Sequence, residues 1–167
     1  MQLKETKNAL NNFAKYVIKH ARTNLTKSKK NSSKKLYDSL DYNINVSKDS
    51  ISVIFEMEDY GQFQDQGVSG KKNKYNTPFS YKSKMPPAKS FSQWVIRKGL
   101  KGVRDKKGRF IPRKSLVFLI GRKIFLKGIK PSLFFTKPFE KAYKNLPKEL
   151  LTAFVNDYEK ILEDGNI

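Results

Sequence analysis

The chain has 167 residues, a net charge of +20, 38% hydrophobic residues and no cysteine. This apolar content is too high for a disordered basic tail, and the length predicts one domain, 1–167, with a real core. The lack of cysteine excludes disulfides, thiolate metal sites and cysteine nucleophiles, while the charge favours an acidic partner such as nucleic acid or an anionic surface.

The positive charge is concentrated in the middle of the chain. From Gln66 to Phe139 there are 20 Lys and Arg residues and one acid, Asp105, while the remaining residues nearly balance. The first twelve residues are polar and lack the apolar core of a signal peptide, so none is expected.

The first predicted element is a helix over residues 1–25. Its apolar residues recur at spacings of three, four and seven, the pattern of one buried helical stripe. The stripe consists of Leu3, Leu10, Phe13, Val17, Ala21 and Leu25. Residues 26–35 are polar and basic and predict a loop.

Two alternating segments follow, at residues 40–46 and 51–57. In the first, Tyr42 and Ile44 fall on one face and Asn43 on the other. Because a short polar turn separates the two segments, they predict an antiparallel hairpin. Residues 59–67 then predict a short helix or turn that ends in glycine.

Two long basic loops are predicted at 68–84 and 101–114. Between them a helix opens at Pro86–Pro87 and ends at Gly99, and a second helix spans 115–127. Gly121, inside the second helix, predicts close approach of a neighbouring backbone. Charges interrupt the apolar stretch from 116 to 139 too often for it to span a membrane.

The C-terminal part predicts an extended piece at 131–135 and a helix from Pro138 to Glu163, bent at Pro147. An apolar stripe marks this helix: Leu150, Leu151, Phe154, Val155, Tyr158, Ile161 and Leu162. The predicted class is therefore α+β, with a small antiparallel sheet made of the hairpin and a short extended strand. N-terminal, central and C-terminal helices pack with this sheet.

Candidate catalytic groups are few. His20, the single histidine, has no evident partner set and is interpreted as a plain helix residue. Four acids cluster at the end of the hairpin and raise the hypothesis of a metal-dependent nuclease: Glu56, Glu58, Asp59 and Asp65. The alternative is an exposed strand face, which is favoured because no lysine lies two residues after Glu56. No cofactor is expected.

The basic loops are the strongest candidate for binding an acidic partner. Their cations are interleaved with aromatic residues, so they suit salt-sensitive phosphate contacts and stacking on unpaired bases. The alternative is a solvated loop. The candidate contact residues are Lys71, Lys72, Lys74, Lys82, Lys84, Arg104, Lys106, Lys107, Arg109, Arg113 and Lys114.

Several motifs in order resemble the tail-completion proteins of tailed phages, also described as neck, head–tail joining or minor tail proteins. The segment "KKLYDSLDYNINVSKDSISVIFEMEDYGQFQDQG" resembles their Leu-containing segment, hairpin and aromatic turn. The segment "GRKIFLKGIKPSLFFTKPFEKAY" resembles their helix end and Pro-aromatic piece. The resemblance covers about residues 1–163, and the two basic loops are longer than the family pattern.

This resemblance implies a structural virion protein without enzymatic activity, made in the host cytoplasm. It implies a ring of about six or twelve copies around genomic double-stranded DNA, between portal or head-completion proteins and the tail tube or hub, with no membrane. In that setting certain aromatic residues would dock on the fold or on a neighbouring subunit: Tyr60, Phe63, Trp94, Phe134, Phe135 and Phe139.

Three hypotheses stay open at this point. The virion hypothesis expects the basic loops to be folded only in the assembled particle. The second hypothesis is a free nucleic-acid-binding protein whose affinity falls steeply with salt. The third is the nuclease, which requires Mg²⁺-dependent cleavage that is lost in Glu56→Gln or Glu58→Gln.

Overall fold

A computed structural model describes residues 3–28, 32–47, 50–100 and 103–165, apart from the side chains of Lys89 and Asp164. Within these ranges it contains seven helices and one two-stranded antiparallel sheet, which confirms the α+β class. The helices are α1 (Lys4–Lys27), α2 (Lys35–Asp38), α3 (Gly61–Gln66), α4 (Lys89–Arg97), α5 (Arg113–Lys127), α6 (Thr136–Tyr143) and α7 (Leu146–Gly165). The strands are β1 (Asp41–Val46) and β2 (Ile51–Glu56). Over the described ranges, no helix is both long enough and apolar enough to cross a membrane.

The chain divides into two compact units, each of which is described by itself. The terminal unit comprises Met1–Lys27, Leu36–Glu58 and Phe134–Ile167. The middle unit comprises Ser28–Lys35 and Asp59–Leu133. The assignment of the whole chain to one domain stays a prediction.

Helix α1 is the centre of the terminal unit. Leu10, Phe13 and Val17 point into one cluster together with Leu146, and Ala21 and Leu25 into a second cluster with Leu36, Leu40 and Phe134. The predicted apolar stripe is therefore confirmed from Leu10 to Leu25 as the buried face of the helix, while Leu3 precedes the helix and is half-buried. The cations Lys15 and Lys19 lie on its exposed side.

The predicted hairpin is confirmed, with Asp41 opposite Glu56 and Val46 opposite Ile51. Alternate side chains face the terminal unit's core, so Ile44, Val53 and Phe55 are half-buried and pack on α1 and α6. Val46, predicted on the same face, is 59% exposed and lies at the end of β1, next to the connection to β2.

The predicted third strand at 131–135 is wrong for the described residues. Residues 131–133 belong to no strand, and Phe134–Phe135 form a turn that leads into α6. The amides of Ser132 and Leu133 donate to the Asp65 carbonyl at 3.0 and 2.9 Å, so they close the end of α3 instead of joining the sheet.

The single bent C-terminal helix is also corrected, since α6 ends at Tyr143 and α7 begins at Leu146. Pro147 explains the position of the break. A proline ring clashes with the carbonyl four residues earlier, which here belongs to Tyr143, while the first turn of a new helix tolerates proline because its N–H groups are unpaired.

In the middle unit α4 packs on α5. Val117 and Gly121 of α5 are buried, and the predicted cationic side is exposed. A β-carbon at Gly121 would meet the Phe91 ring at 3.6 Å and the Pro86 carbonyl oxygen at 3.7 Å, both ordinary contacts. The expectation of a close backbone neighbour at Gly121 is therefore wrong.

The boundary between the second basic loop and α5 is shifted as well. Arg113 and Lys114, predicted in the loop, form the first turn of α5. The reason is Pro112, whose φ of −58° and ψ of 144° end the extended segment, so the helix starts at the next residue.

Candidate functional site

The two units differ completely in charge. The terminal unit contains 12 Lys and Arg residues and 12 acids and is neutral, whereas the middle unit contains 23 Lys and Arg residues and three acids. The entire net charge of +20 therefore belongs to the middle unit. Its three acids are Asp59, Asp65 and Asp105, and Asp65 is only 4% exposed.

The first basic segment folds around the buried hydroxyl of Ser69. This oxygen accepts the Tyr75 amide at 2.9 Å and donates to the Tyr75 carbonyl at 3.1 Å. The Ser69 backbone pairs with Phe79 and Tyr81 at 2.8 and 2.9 Å. The burial of Tyr81 raises the pKa of its hydroxyl. Residues 67–81, most of the loop predicted at 68–84, are thus held by hydrogen bonds within the middle unit.

The same segment closes the C-terminal end of α5. The amides of Lys71 and Lys72 donate to the carbonyls of Phe125 and Leu126 at 3.0 and 2.8 Å, which satisfies two acceptors that a helix end leaves free. Both lysine side chains remain exposed beside the negative end of the helix dipole, where positive charge is favourable.

Two glycines make this crossing possible. A β-carbon at Gly70 would lie 2.3 Å from the Leu126 carbonyl oxygen, and one at Gly128 would lie 2.1 Å from the Val68 carbonyl oxygen. Val68 and Ile129 exchange backbone hydrogen bonds of 2.9 and 2.8 Å at this point. Only glycine fits two backbones this close, and Gly128 also has a φ of 74°.

The second basic segment forms a small turn, Val103–Ile111, here named the basic hairpin. The backbones of Arg104 and Phe110 pair as an isolated antiparallel β-bridge, and the Ile111 amide donates to the Val103 carbonyl at 2.8 Å. Asp105 organises the turn because its carboxylate accepts the amides of Lys107 and Arg109, each at 2.9 Å.

The carboxylate of Asp105 also pairs with the Arg109 guanidinium at 2.9 Å. The Arg109 amide, with the Arg109 side chain and the Lys107 amide, holds the pKa of Asp105 below its ordinary value. The Arg104 guanidinium lies 3.8 Å from the centre of the Phe110 ring, a cation–π arrangement. The one acid in the hairpin is therefore engaged in the turn, while Lys106 and Lys107 project into solvent.

All the cations proposed from the sequence have exposed side chains. They belong to three settings in the middle unit: the segment around Ser69, the basic hairpin, and the first turn of α5. They are Lys71, Lys72, Lys74, Lys82, Lys84, Arg104, Lys106, Lys107, Arg109, Arg113 and Lys114. Backbone contacts hold Lys71 and Lys72 and the basic hairpin in place, so the cations there are displayed on ordered elements.

The six aromatic residues proposed for docking are divided between the units. Phe134 is 1% exposed, in the core of the terminal unit. Phe135 and Phe139 contact the Phe55 ring at 5.2 and 6.0 Å and pack within the same unit. In the middle unit, Trp94 is half-buried on α4.

Tyr60 and Phe63 remain 38% and 41% exposed. The Phe63 ring meets the Phe79 ring edge-on at 4.7 Å, so it partly covers the basic segment. These two residues are therefore the members of the docking set that still present a large apolar surface to a partner.

The sequence did not reveal that the stripe on α7 is exposed. Helix α7 packs on α1 through Ala153 and Asp157, which are 9% and 3% exposed. The outward residues, here named the α7 stripe, are Leu151, Phe154, Val155, Tyr158, Ile161 and Leu162, with exposures from 36% to 66%. Scattered exposed apolar residues are normal, but a contiguous row along a helix indicates a contact surface.

The terminal unit also has a groove of about 700 Å³ beside the C-terminal half of α1. Lys15, Lys19 and Arg22 line it together with Tyr37 and Tyr42. Arg22 is engaged there, since it donates to the carbonyls of Tyr37 and Leu40 at 3.2 and 2.8 Å. None of the residues proposed from the sequence lies in this groove.

The acids behind the nuclease hypothesis do not form a cluster with a metal-binding composition. Glu56 accepts a hydrogen bond from the Asn43 amide group at 2.7 Å on the exposed face of the hairpin, and Glu58 is exposed. Over residues 3–28, 32–47, 50–100 and 103–165 there is no group of three His, Asp or Glu residues arranged to hold a metal ion. The His20 ring contacts the Tyr16 ring, with 4.1 Å between the ring centres and a tilt of 39°.

The described residues offer exposed cations on ordered turns, which suit phosphate or carboxylate groups, and exposed apolar rows, which suit protein contact. Comparison with protein-family models, with proteins of curated function and with solved structures found no match.

Proposed function

We propose that this chain is a structural virion protein of a tailed phage, one subunit of a ring in the head–tail connector. The ring surrounds the DNA channel and joins portal or head-completion proteins to the tail. The proposal is supported by the resemblance described above, whose motifs correspond to α2, the β1–β2 hairpin, the α3 turn, the end of α5 and the start of α6.

The observation that carries the proposal is the separation of charge between the two units. A neutral unit with an exposed apolar helix suits contacts with other proteins, because charged groups are depleted in interface cores. A unit with a net charge of +20 suits an acidic partner, here DNA in the lumen or an acidic neighbouring ring.

The decisive experiment is quantitative mass spectrometry of purified phage particles, with copies counted relative to the portal protein. A ring that matches the portal symmetry gives a ratio of about one, and a sixfold ring on a twelvefold portal gives about one half. Absence from the particle would overturn the proposal.

A free nucleic-acid-binding protein is the second candidate, and the basic hairpin favours it. The hairpin's only acid is engaged in its turn, so Lys106 and Lys107 meet a phosphate without competition from a nearby carboxylate. This candidate requires the purified chain to bind duplex DNA with an affinity that falls linearly on a log–log salt plot.

A further inference from the structure

Two helices of this chain each have an exposed apolar face, and the charged residues beside the two faces have opposite signs. One face is the α7 stripe in the terminal unit. The other is the outward side of α5 in the middle unit, here named the α5 face, where Phe118 and Leu119 are 53% and 45% exposed and adjoin exposed Arg122 and Lys123. Neither face is covered by described residues of its own unit.

The charges of the two helices are complementary. Helix α5 contains five Lys and Arg residues and no acid. Helix α7 contains five acids and two lysines. Asp157 is buried against α1, and Lys160 is paired with Glu5 at 3.0 Å, so neither belongs to the free charge of the outer face. Glu159 and Glu163 are exposed and come directly after Tyr158 and Leu162 of the stripe. An acidic apolar face and a basic apolar face attract and orient each other.

We propose that the α7 stripe of one copy docks on the α5 face of the next copy. This inference rests on the proposed ring, because it supplies the contact between its subunits. Pairing two α7 helices would cover only the α7 stripe and leave Phe118 and Leu119 exposed, whereas the α7–α5 contact covers both faces at once. Since the two contacting surfaces differ, the contact is head-to-tail, and such contacts generate a ring when the rotation closes.

The lack of cysteine allows a clean crosslinking test on the full-length chain. Tyr158→Cys labels the α7 stripe, Leu119→Cys labels the α5 face, and Val46→Cys labels an exposed apolar residue outside both faces. The variants are mixed in pairs at high concentration and treated with a short bis-maleimide, and products are read by denaturing gel and intact mass.

We expect a crosslinked dimer when Tyr158→Cys and Leu119→Cys are mixed, and at most about a tenth as much from either variant alone or from any mixture with Val46→Cys. A strong dimer from Tyr158→Cys alone would overturn the proposal in favour of α7 self-pairing. The proposal would also be overturned if the double variant Tyr158→Cys/Leu119→Cys formed crosslinks only within one chain and none between chains.

Charge reversal gives an independent test by sedimentation of the untreated chain. Glu159→Arg and Arg122→Glu should each weaken self-association about tenfold, and the double variant should recover most of the loss because opposite charges again meet. Equal losses in single and double variants would contradict the contact.

The outcomes separate this inference from the proposed function. An oligomer that forms without the α7–α5 crosslink overturns the interface and leaves the ring in place. A chain that stays monomeric at high concentration also overturns the interface, and the copy number in particles then decides the virion function alone.

Discussion

Asp157 joins the last helix to the first. Its carboxylate is 3% exposed and accepts the amides of Glu5 and Thr6, each at 2.8 Å, and the Thr6 hydroxyl at 2.8 Å. These amides belong to the first turn of α1, where no intrahelical acceptor exists, so a residue 151 positions away acts as the helix cap.

Asp157→Ala should therefore lower the free energy of unfolding by about 2–3 kcal/mol, because it leaves buried donors without an acceptor. For a chain of this length that corresponds to a fall of roughly 4–12 °C in Tm. Lys160→Ala breaks the exposed pair with Glu5 and leaves the hydrogen bonds of Asp157 in place, so it is the matched control and should change Tm much less. Equal effects in a calorimetric scan would contradict the capping role.

The same residue predicts an acid-sensitive step. Burial raises the pKa of Asp157, but the amides of Thr6 and Glu5, the Thr6 hydroxyl and the charge of Lys160 outweigh burial and place it below its ordinary value of 3.8. A depressed pKa stabilises the fold above the ordinary value, and this contribution is lost as the pH falls through the folded pKa. The Tm difference between wild type and Asp157→Ala should thus shrink below about pH 4.

Asp105 plays a local version of this role in the basic hairpin. Because its pKa is depressed in the folded chain, Asp105 stabilises the turn at a pH above its ordinary pKa. This stabilisation is lost as the pH falls through the folded pKa. We expect the Lys107 and Arg109 amides to be less protected from hydrogen exchange, relative to the intrinsic rate at the same pH, in Asp105→Ala at neutral pH, and in the wild type only in acid. Unchanged exchange at both amides in Asp105→Ala would show that the backbone alone holds the turn.

At the scale of elements, glycine has different roles in α5 and just after it. Gly121 lies inside the helix, and a β-carbon added there would find its nearest neighbour at 3.6 Å. Gly128 ends the helix at a φ of 74° against the Val68 carbonyl. The first position has room for a side chain, and the second has neither the room nor a suitable backbone conformation.

Gly121→Ala should raise the free energy of unfolding by about 0.5–1 kcal/mol, since alanine reduces the entropy of the unfolded chain and fits the site. Gly128→Ala should lower it by about 2 kcal/mol or more, because the backbone of residues 68–70 must move. Urea titrations of the two variants compare them directly. Destabilisation by Gly121→Ala would indicate that Phe91 and Pro86 cannot accommodate a methyl group.

For the whole molecule, the separation of charge predicts where polyanions bind. If the middle unit contacts phosphate, removing its cations reduces the salt dependence of DNA binding, and removing an equal number from the terminal unit does not. Both sets of substitutions lower the net charge by the same amount, so a difference between them reports where the charge lies.

The test compares Lys106→Ala/Lys107→Ala/Arg109→Ala with Lys141→Ala/Lys144→Ala/Lys148→Ala, using fluorescence anisotropy of a labelled duplex across a salt series. The first variant should lose about 0.9 in log–log slope for each phosphate contact removed, and the second should match the wild type. Equal slopes in both variants would mean that binding follows the net charge and not the basic hairpin.

The order of elements was largely predictable from the sequence because helices and hairpins leave local periodicities. The stripe of α1, the alternation of β1 and β2, and the glycines at 67, 99 and 128 each depend on residues within a few positions of one another. The break before Pro147 was misplaced by a few residues, since a proline restricts the turn before it as well as its own position.

The candidate surfaces were predictable only in part. The concentration of positive charge in the middle of the chain was predictable from the sequence alone, because the sum of charges over a segment does not depend on folding. Only the tertiary structure decided that Ser69 and Asp105 order the basic segments, and that Asp157 is buried on α7 while Tyr158 faces solvent. Periodicity marks the faces of a helix, but the neighbours that cover a face come from distant parts of the chain. In α7 the face with Asp157 is buried, because its carboxylate accepts hydrogen bonds from buried donors on α1, and the α7 stripe faces solvent.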